Sequence, residues 1–292
     1  MIYSFLYVII YSCASVFIEK LYFSIPPLFS LMITASIATL YFNLVNIGKL
    51  KPIYLACWHE KKMWLAIMIS VLVMWCCTMT GPGLIGASLN NFMYFGWLGV
   101  LGFISLGLQK EKKSRSKLYF GLMIVGLMAI AIFDTVNHGL TKGNILGLLI
   151  GIIGGTASFI YLKQSQILLS KIKLSATQIL AIRFYLTIIV LFFVIPKDSF
   201  SLYLTWKSMG ELIILAFMSL IIPLFFMQKA LEKITSEQNA IIMSLSPVVT
   251  AFIQELLFNN VEFKFIVVYL LYFSIILASY FVNKYKTVRI IV

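Results

Sequence analysis

The sequence predicts an all-α integral membrane protein of ten transmembrane helices, arranged as two inverted five-helix repeats. Three observations predict it. Of the 292 residues, 61% are hydrophobic and only 11% are charged, whereas a soluble domain carries about 25% charged residues. The apolar residues fall in continuous runs near the length that crosses a bilayer as a helix, about 20 residues. The charges collect in the gaps between those runs. A spanning segment must satisfy its own backbone hydrogen bonds, so it is a helix or part of a closed barrel. Continuous rather than alternating apolar runs select helices.

The runs are 2–18, 22–45, 63–79, 84–107, 118–134, 144–163, 176–196, 210–229, 237–258 and 263–283. Run 1 contains Ile10-Tyr11-Ser12-Cys13, which is similar to a lipoprotein cleavage box. No basic residue precedes it, as a signal peptide requires, so it reads as a retained first helix. Run 2 follows Pro26-Pro27, and the gap after it, residues 46–62 with Pro52, is the longest. Run 3 is expected to end before Gly81-Pro82-Gly83, and run 7 ends at Pro196, as helix punctuation should. Run 4 repeats Gly96, Gly99 and Gly102, and run 6 repeats Gly147, Gly151 and Gly155. Small residues at these spacings let helices approach closely. Pro223 in run 8 and Pro247 in run 9 each remove a helix hydrogen bond mid-span, as a hinge or a static kink. No gap is long enough for a soluble domain.

The basic residues orient the chain. With ten spans, 17 of the 23 Lys and Arg lie on the side of the termini, 5 lie on the other side, and Arg183 lies within a span. The positive-inside rule then makes both termini cytoplasmic in a multi-pass inner-membrane protein. The chain divides into a first repeat, 1–135, and a second, 136–292. Ala14-Ser15 with Lys20 in run 1 recurs as Ala157-Ser158 with Lys163 in run 6. Five helices per half is an odd number, so the second half starts from the opposite side. Secondary transporters are commonly built this way.

The second half carries Gly147 to Ser158, then Gln178-Ile-Leu-Ala-Ile-Arg183-Phe184, then Ala230-Leu231-Glu232-Lys233-Ile234. Ala240 and Ser244-Leu-Ser-Pro247-Val248-Val249 complete the set. In these residues the second half resembles the EamA-type branch of the drug/metabolite transporter superfamily. Where that family usually carries Gly-Glu after the Pro-Val, this chain has Phe258-Asn259-Asn260. The resemblance implies a ten-helix carrier that moves small metabolites by alternating access, with both termini cytoplasmic. It names no substrate.

The net charge of +13 does not point to nucleic acid, because the charges sit in short inter-run loops as topology signals. The four cysteines show no metal spacing, and His59 and His138 stand far apart. No catalytic constellation appears, so the chain is not expected to be an enzyme or to hold a cofactor or metal. The expected partners are a small-molecule substrate and membrane lipid, with a proton or ion gradient as the coupling source. The chain is expected as a monomer or homodimer.

Seven residues are candidates for substrate contact. Arg183 lies about eight residues into run 7, where a charge costs roughly 2.5–3.5 kcal/mol on insertion scales. It reads as an anion-binding or gating group, or as an arginine that snorkels to the cytoplasmic headgroups. Its shallow depth favours snorkelling. Asn91, Tyr94 and Trp97 share roughly one face of run 4 and read as the lining of a midplane cavity, against interhelical packing. Trp75 of run 3 and Ser244 and Ser246 of run 9 can reach the same depth, against plain packing, which is the favoured reading of each. Glu255, near the outer end of run 9, reads as a coupling carboxylate or an interfacial residue, while Glu19 reads as interfacial. The leading function is carriage of a small, amino-acid-like or other organic solute. The alternatives are import or exchange of a charged metabolite through Arg183, and a non-transporting scaffold or lipid-flippase subunit.

Overall fold

A computed structural model describes residues 1–21, 23–108, 115–137, 141–258, 267, 270–276 and 278. The described chain is helical almost throughout. Runs 1 and 2 form α1 (Ile2–Leu21) and α2 (Pro27–Val45), and a 3-10 turn leads into a short helix, α3 (Leu50–His59). Runs 3 to 6 form α4 (Lys61–Ile85), α5 (Ala87–Leu108), α6 (Arg115–Asn137) and α7 (Lys142–Ile172). Run 7 is two helices, α8 (Ala176–Ile182) and α9 (Tyr185–Val194), followed by the short α10 (Asp198–Tyr203). Run 8 is α11 (Trp206–Leu215), a π-helical segment (Ala216–Ile221) and α12 (Ile222–Leu231). Run 9 is α13 (Ser236–Met243) and α14 (Ser246–Phe258).

Eight of these spans are long and apolar enough to cross a membrane, and they coincide with runs 1–4 and 6–9. The apolar part of α6, Lys117–Ile130, is shorter. Run 10 lies mostly outside the described residues, so the count of ten rests on the sequence. Helix starts in the second half carry side-chain caps. Thr141 accepts from the Asn144 N–H, and Ser175 and Thr235 form capping boxes with Gln178 and Gln238. These satisfy backbone donors that the first turn leaves unpaired.

Three boundaries differ from the sequence expectation. Gly81-Pro82-Gly83 does not end run 3, because α4 continues through Pro82 to Ile85. The break comes at Gly86, whose φ of +79° lies in the left-handed region. An added Cβ there meets only Glu19 Oε1 at 3.7 Å, so the constraint is conformational. Gly86→Ala is therefore expected to lower stability by about 1–2 kcal/mol, read as a fall in the melting temperature of the purified protein. Run 7 breaks at Arg183-Phe184 and run 9 at Ser244-Leu245, the latter one residue before the Ser246-Pro247 start of α14.

Packing follows a reciprocal pattern. Run 3 packs on run 6, and run 8 packs on run 1; run 4 packs on run 6, and run 9 packs on run 1. Runs 4 and 9 pack on each other, as do runs 2 and 7. The glycines of α7 make the run 4 contact close. A Cβ added at Gly151 would lie 2.5 Å from Met93 Cβ, and one at Gly155 would lie 2.4 Å from the Tyr94 carbonyl oxygen. Leu40, Ile69, Ile153 and Phe193 are among many large apolar side chains left exposed, as a lipid-facing surface requires.

Candidate functional site

Arg183 is fully buried inside the bundle. It sits where run 7 breaks, between α7 and the π-helical segment of run 8. Its Nη1 donates to the Tyr161 hydroxyl at 2.8 Å, and its Nη2 donates to the Leu220 carbonyl at 3.4 Å. Its guanidinium lies 4.4 Å from the centre of the Phe184 ring. Gln228 of α12 donates from Nε2 to the same Tyr161 hydroxyl at 2.5 Å and to Ser165 Oγ at 3.4 Å. The snorkelling expectation is thus corrected: the side chain turns into the protein, because a hydroxyl, a carbonyl of the π segment and a ring face receive it there. π segments widen a helix and recur at functional sites.

Two polar atoms at this point are left over. Arg183 Nε and Gln228 Oε1 are buried and have no hydrogen-bond partner among the described residues. No carboxylate pairs with Arg183 among the described residues. A buried cation without a counter-charge is costly, and breaking a buried pair costs about 3–5 kcal/mol for the same reason. The site has one spare donor and one spare acceptor on either side of Tyr161.

An aromatic wall adjoins it. Trp75 lies 6.4 Å, ring to ring, from both Phe184 and Tyr11. Tyr11 continues to Tyr7 and Phe95, and Phe95 to Tyr94. Trp75 Nε1 is also without a partner. The structure therefore gathers three of the candidates, Trp75, Tyr94 and Arg183, into one cluster. The others lie elsewhere. Asn91 donates to Thr250 Oγ1 at 2.7 Å, in the seam between runs 4 and 9. Ser244 sits in the same seam, bonded to the Ile241 carbonyl at 2.6 Å and facing Gly99. Trp97 donates to Thr156 of run 6 at 2.8 Å. Glu255 is partly exposed near the end of α14. Tyr161 and Gln228 were not among the candidates; a neutral residue near the end of an apolar run carries no signal until the arginine beside it is seen.

The break in run 7 is held open by the first half of the chain. Trp64 Nε1 donates to the Ile182 carbonyl at 2.9 Å. Asn43 Nδ2 donates to the Tyr185 hydroxyl at 2.8 Å, and the Tyr54 and Tyr185 hydroxyls are bonded at 2.5 Å. Carbonyls released by a helix break need such donors. A cleft of about 480 Å³, lined by Tyr54, Trp64, Met68, Tyr185, Leu186 and Ile189, opens beside them. On α3, burial of Cys57 pushes its thiol up to about 12. Only the thiolate attacks a maleimide, so Cys57 is expected to resist labelling at neutral pH until the protein is unfolded in detergent, which a labelling time course reads.

Residues 141–284 match the EamA-like transporter family. Five solved chains match the fold. One of them, a crystal structure of a protein 10% identical in sequence, covers 95% of this chain and 94% of its own with a TM-score of 0.65. At that identity the likeness is one of fold alone. No curated protein matches the chain.

Proposed function

We propose, from a chain whose second half belongs to the EamA-like transporter family, that this protein is a secondary transporter of a small solute that carries an anionic group. The solute crosses the cytoplasmic membrane by alternating access between two inverted repeats. The observation that carries the reading is Arg183, buried with a free Nε and without a carboxylate partner among the described residues. A carboxylate or similar anion would complete its hydrogen bonding in the bidentate geometry that guanidinium favours. Gln228 Oε1 would take an N–H of the same solute, and Trp75 and Tyr11 would hold its apolar body. An amino-acid-like solute fits all three.

The reciprocal packing supports the inverted repeat. Exchanging run 1 with run 6, run 3 with run 8 and run 4 with run 9 maps the run 3–run 6 and run 4–run 6 contacts onto the run 8–run 1 and run 9–run 1 contacts. The excess of Lys and Arg on the side of the termini supports cytoplasmic ends. A scaffold is the second reading, favoured by the close packing of Tyr94 and Ser244 against glycines. The unneutralised Arg183 weighs against it, since a purely structural core gains nothing from an unpaired cation.

A thermal-shift screen of the purified protein against a metabolite library tests the proposal. A ligand at 100 times its Kd stabilises the folded state by about 2.7 kcal/mol. Carboxylate-bearing solutes are expected to raise the melting temperature, and uncharged isosteres are not. A library in which no anionic solute shifts it would remove the reading.

A further inference from the structure

Two clusters of polar side chains close opposite ends of the bundle, and neither touches the Arg183 site. At the end that the charge distribution makes cytoplasmic, Lys163 of α7 donates to Ser105 Oγ of α5 at 2.9 Å. Lys163 also lies 3.5 Å from Glu237 Oε1 of α13, and Ser105 donates to that oxygen at 3.2 Å. At the other end, Glu19 Oε2 of α1 accepts from the backbone N–H of Ala87, the first residue of α5, at 2.9 Å. The same oxygen accepts from Gln254 Nε2 of α14 at 2.7 Å. Gln254 Oε1 accepts from both the backbone N–H and the hydroxyl of Ser88. Glu237 and Gln254 are buried despite standing near span ends.

Each cluster joins three spans, and the sets are related by the exchange of halves. The cytoplasmic cluster joins runs 6, 4 and 9. The outer one joins runs 1, 9 and 4. Lys163 ends run 6, and Glu19 immediately follows run 1, next to Lys20, the repeat counterpart of Lys163. Ser88 and Glu237 open runs 4 and 9, and Ser105 and Gln254 close them, at the same separation along each run.

Runs 4 and 9 serve both clusters, and between them the seam is close-packed on glycines, crossed by the bond from Asn91 to Thr250. A Cβ at Gly99 would lie 2.7 Å from Ser244 Cβ, and one at Gly102 would lie 3.1 Å from the Glu237 carbonyl oxygen. Two helices in such backbone contact can rock about the contact. A tilt that draws Ser105 from Glu237 leaves Ser88 and Gln254 in contact. Separating either cluster also strips buried polar groups of their partners, which is tolerable only if water enters at that end.

We propose that these clusters are the inner and outer gates of the protein, that both are shut in this conformation, and that they open one at a time. The proposal rests on the transporter reading for its purpose but not for its test. The test places a single cysteine at Ser158, a buried position beside Tyr94, in a chain with its four native cysteines replaced by alanine. A membrane-impermeant thiol reagent is applied to proteoliposomes from either side. Glu237→Ala is expected to raise labelling about tenfold from the side bearing the termini, the scale of one lost charged hydrogen bond. Glu19→Ala with Gln254→Ala is expected to raise it from the opposite side only. Glu237→Gln, which keeps shape and part of the bonding, should show the same sidedness more weakly and guards against misfolding. Labelling that changes in none of the variants, or rises from the same side in both, overturns the gates. Side-specific labelling in a protein that moves no solute would keep the gates and remove the carrier reading.

Discussion

Arg183→Gln is expected to abolish the response to anionic solutes while leaving the fold intact or more stable. Both halves of that expectation follow from the same burial. Among the described residues the guanidinium makes two hydrogen bonds, one of them long at 3.4 Å, and Nε has no partner. Desolvating an ion costs several kcal/mol unless it is fully paired. A neutral amide of similar reach removes that cost, and Tyr161 keeps its bond from Gln228. A gain of 1 kcal/mol corresponds to a rise of about 2–4 °C in melting temperature for a chain of 150–250 residues, and a similar small rise is expected here. Binding should fall by about 100-fold, since each charged hydrogen bond contributes about 1.5–3 kcal/mol. Arg183→Lys should restore part of the affinity as a point charge without the fork. A large loss of stability in the glutamine variant, with binding retained, would make Arg183 a structural residue.

Gly155→Ala is expected to be the most damaging single methyl in the protein. A helix interior normally gains about 1 kcal/mol when glycine becomes alanine. At Gly155 the new Cβ would stand 2.4 Å from the carbonyl oxygen of Tyr94, which is backbone and cannot rotate away. Overpacking of this kind costs about 1–3 kcal/mol, and the site belongs to the run 4 and run 6 contact that joins the two halves. Gly126 is the control, because among the described residues nothing lies within 4 Å of a Cβ there. Gly126→Ala should leave the melting temperature unchanged or raise it, and Gly155→Ala should lower it. Equal effects would mean that α5 and α7 are not packed as described.

The spans themselves were legible because hydropathy acts over whole helices. Eight of the ten runs coincide with spans, and the glycine rows of runs 4 and 6 mark real close approaches. What escaped the sequence is what tertiary contacts decide. Gly81-Pro82-Gly83 reads as a break, yet the helix passes through it, and it is Gly86 that takes a positive φ and ends it. Run 7 shows no proline or glycine at Arg183, so its break is invisible until Trp64 and Asn43 are seen supplying donors beside it. The depth of Arg183 suggested snorkelling, since a count along one helix cannot show Tyr161 and Gln228 arriving from two others. Glu19 read as interfacial for the same reason, before Ala87 and Gln254 were seen on its carboxylate. The partners that complete a site here, such as Tyr161 and Gln228, are neutral and scattered over spans far apart in the chain, and periodicity does not register them.

Flux measured in proteoliposomes tests the central claim most directly. A labelled anionic solute taken from the stability screen is placed outside vesicles loaded with the unlabelled solute, and accumulation inside is followed with time. The account predicts saturable exchange by the wild-type protein, well above empty vesicles, and none by Arg183→Gln at equal amounts of folded protein. Binding of the solute without any exchange in the wild type would contradict it and leave a membrane protein that holds a ligand but does not carry it.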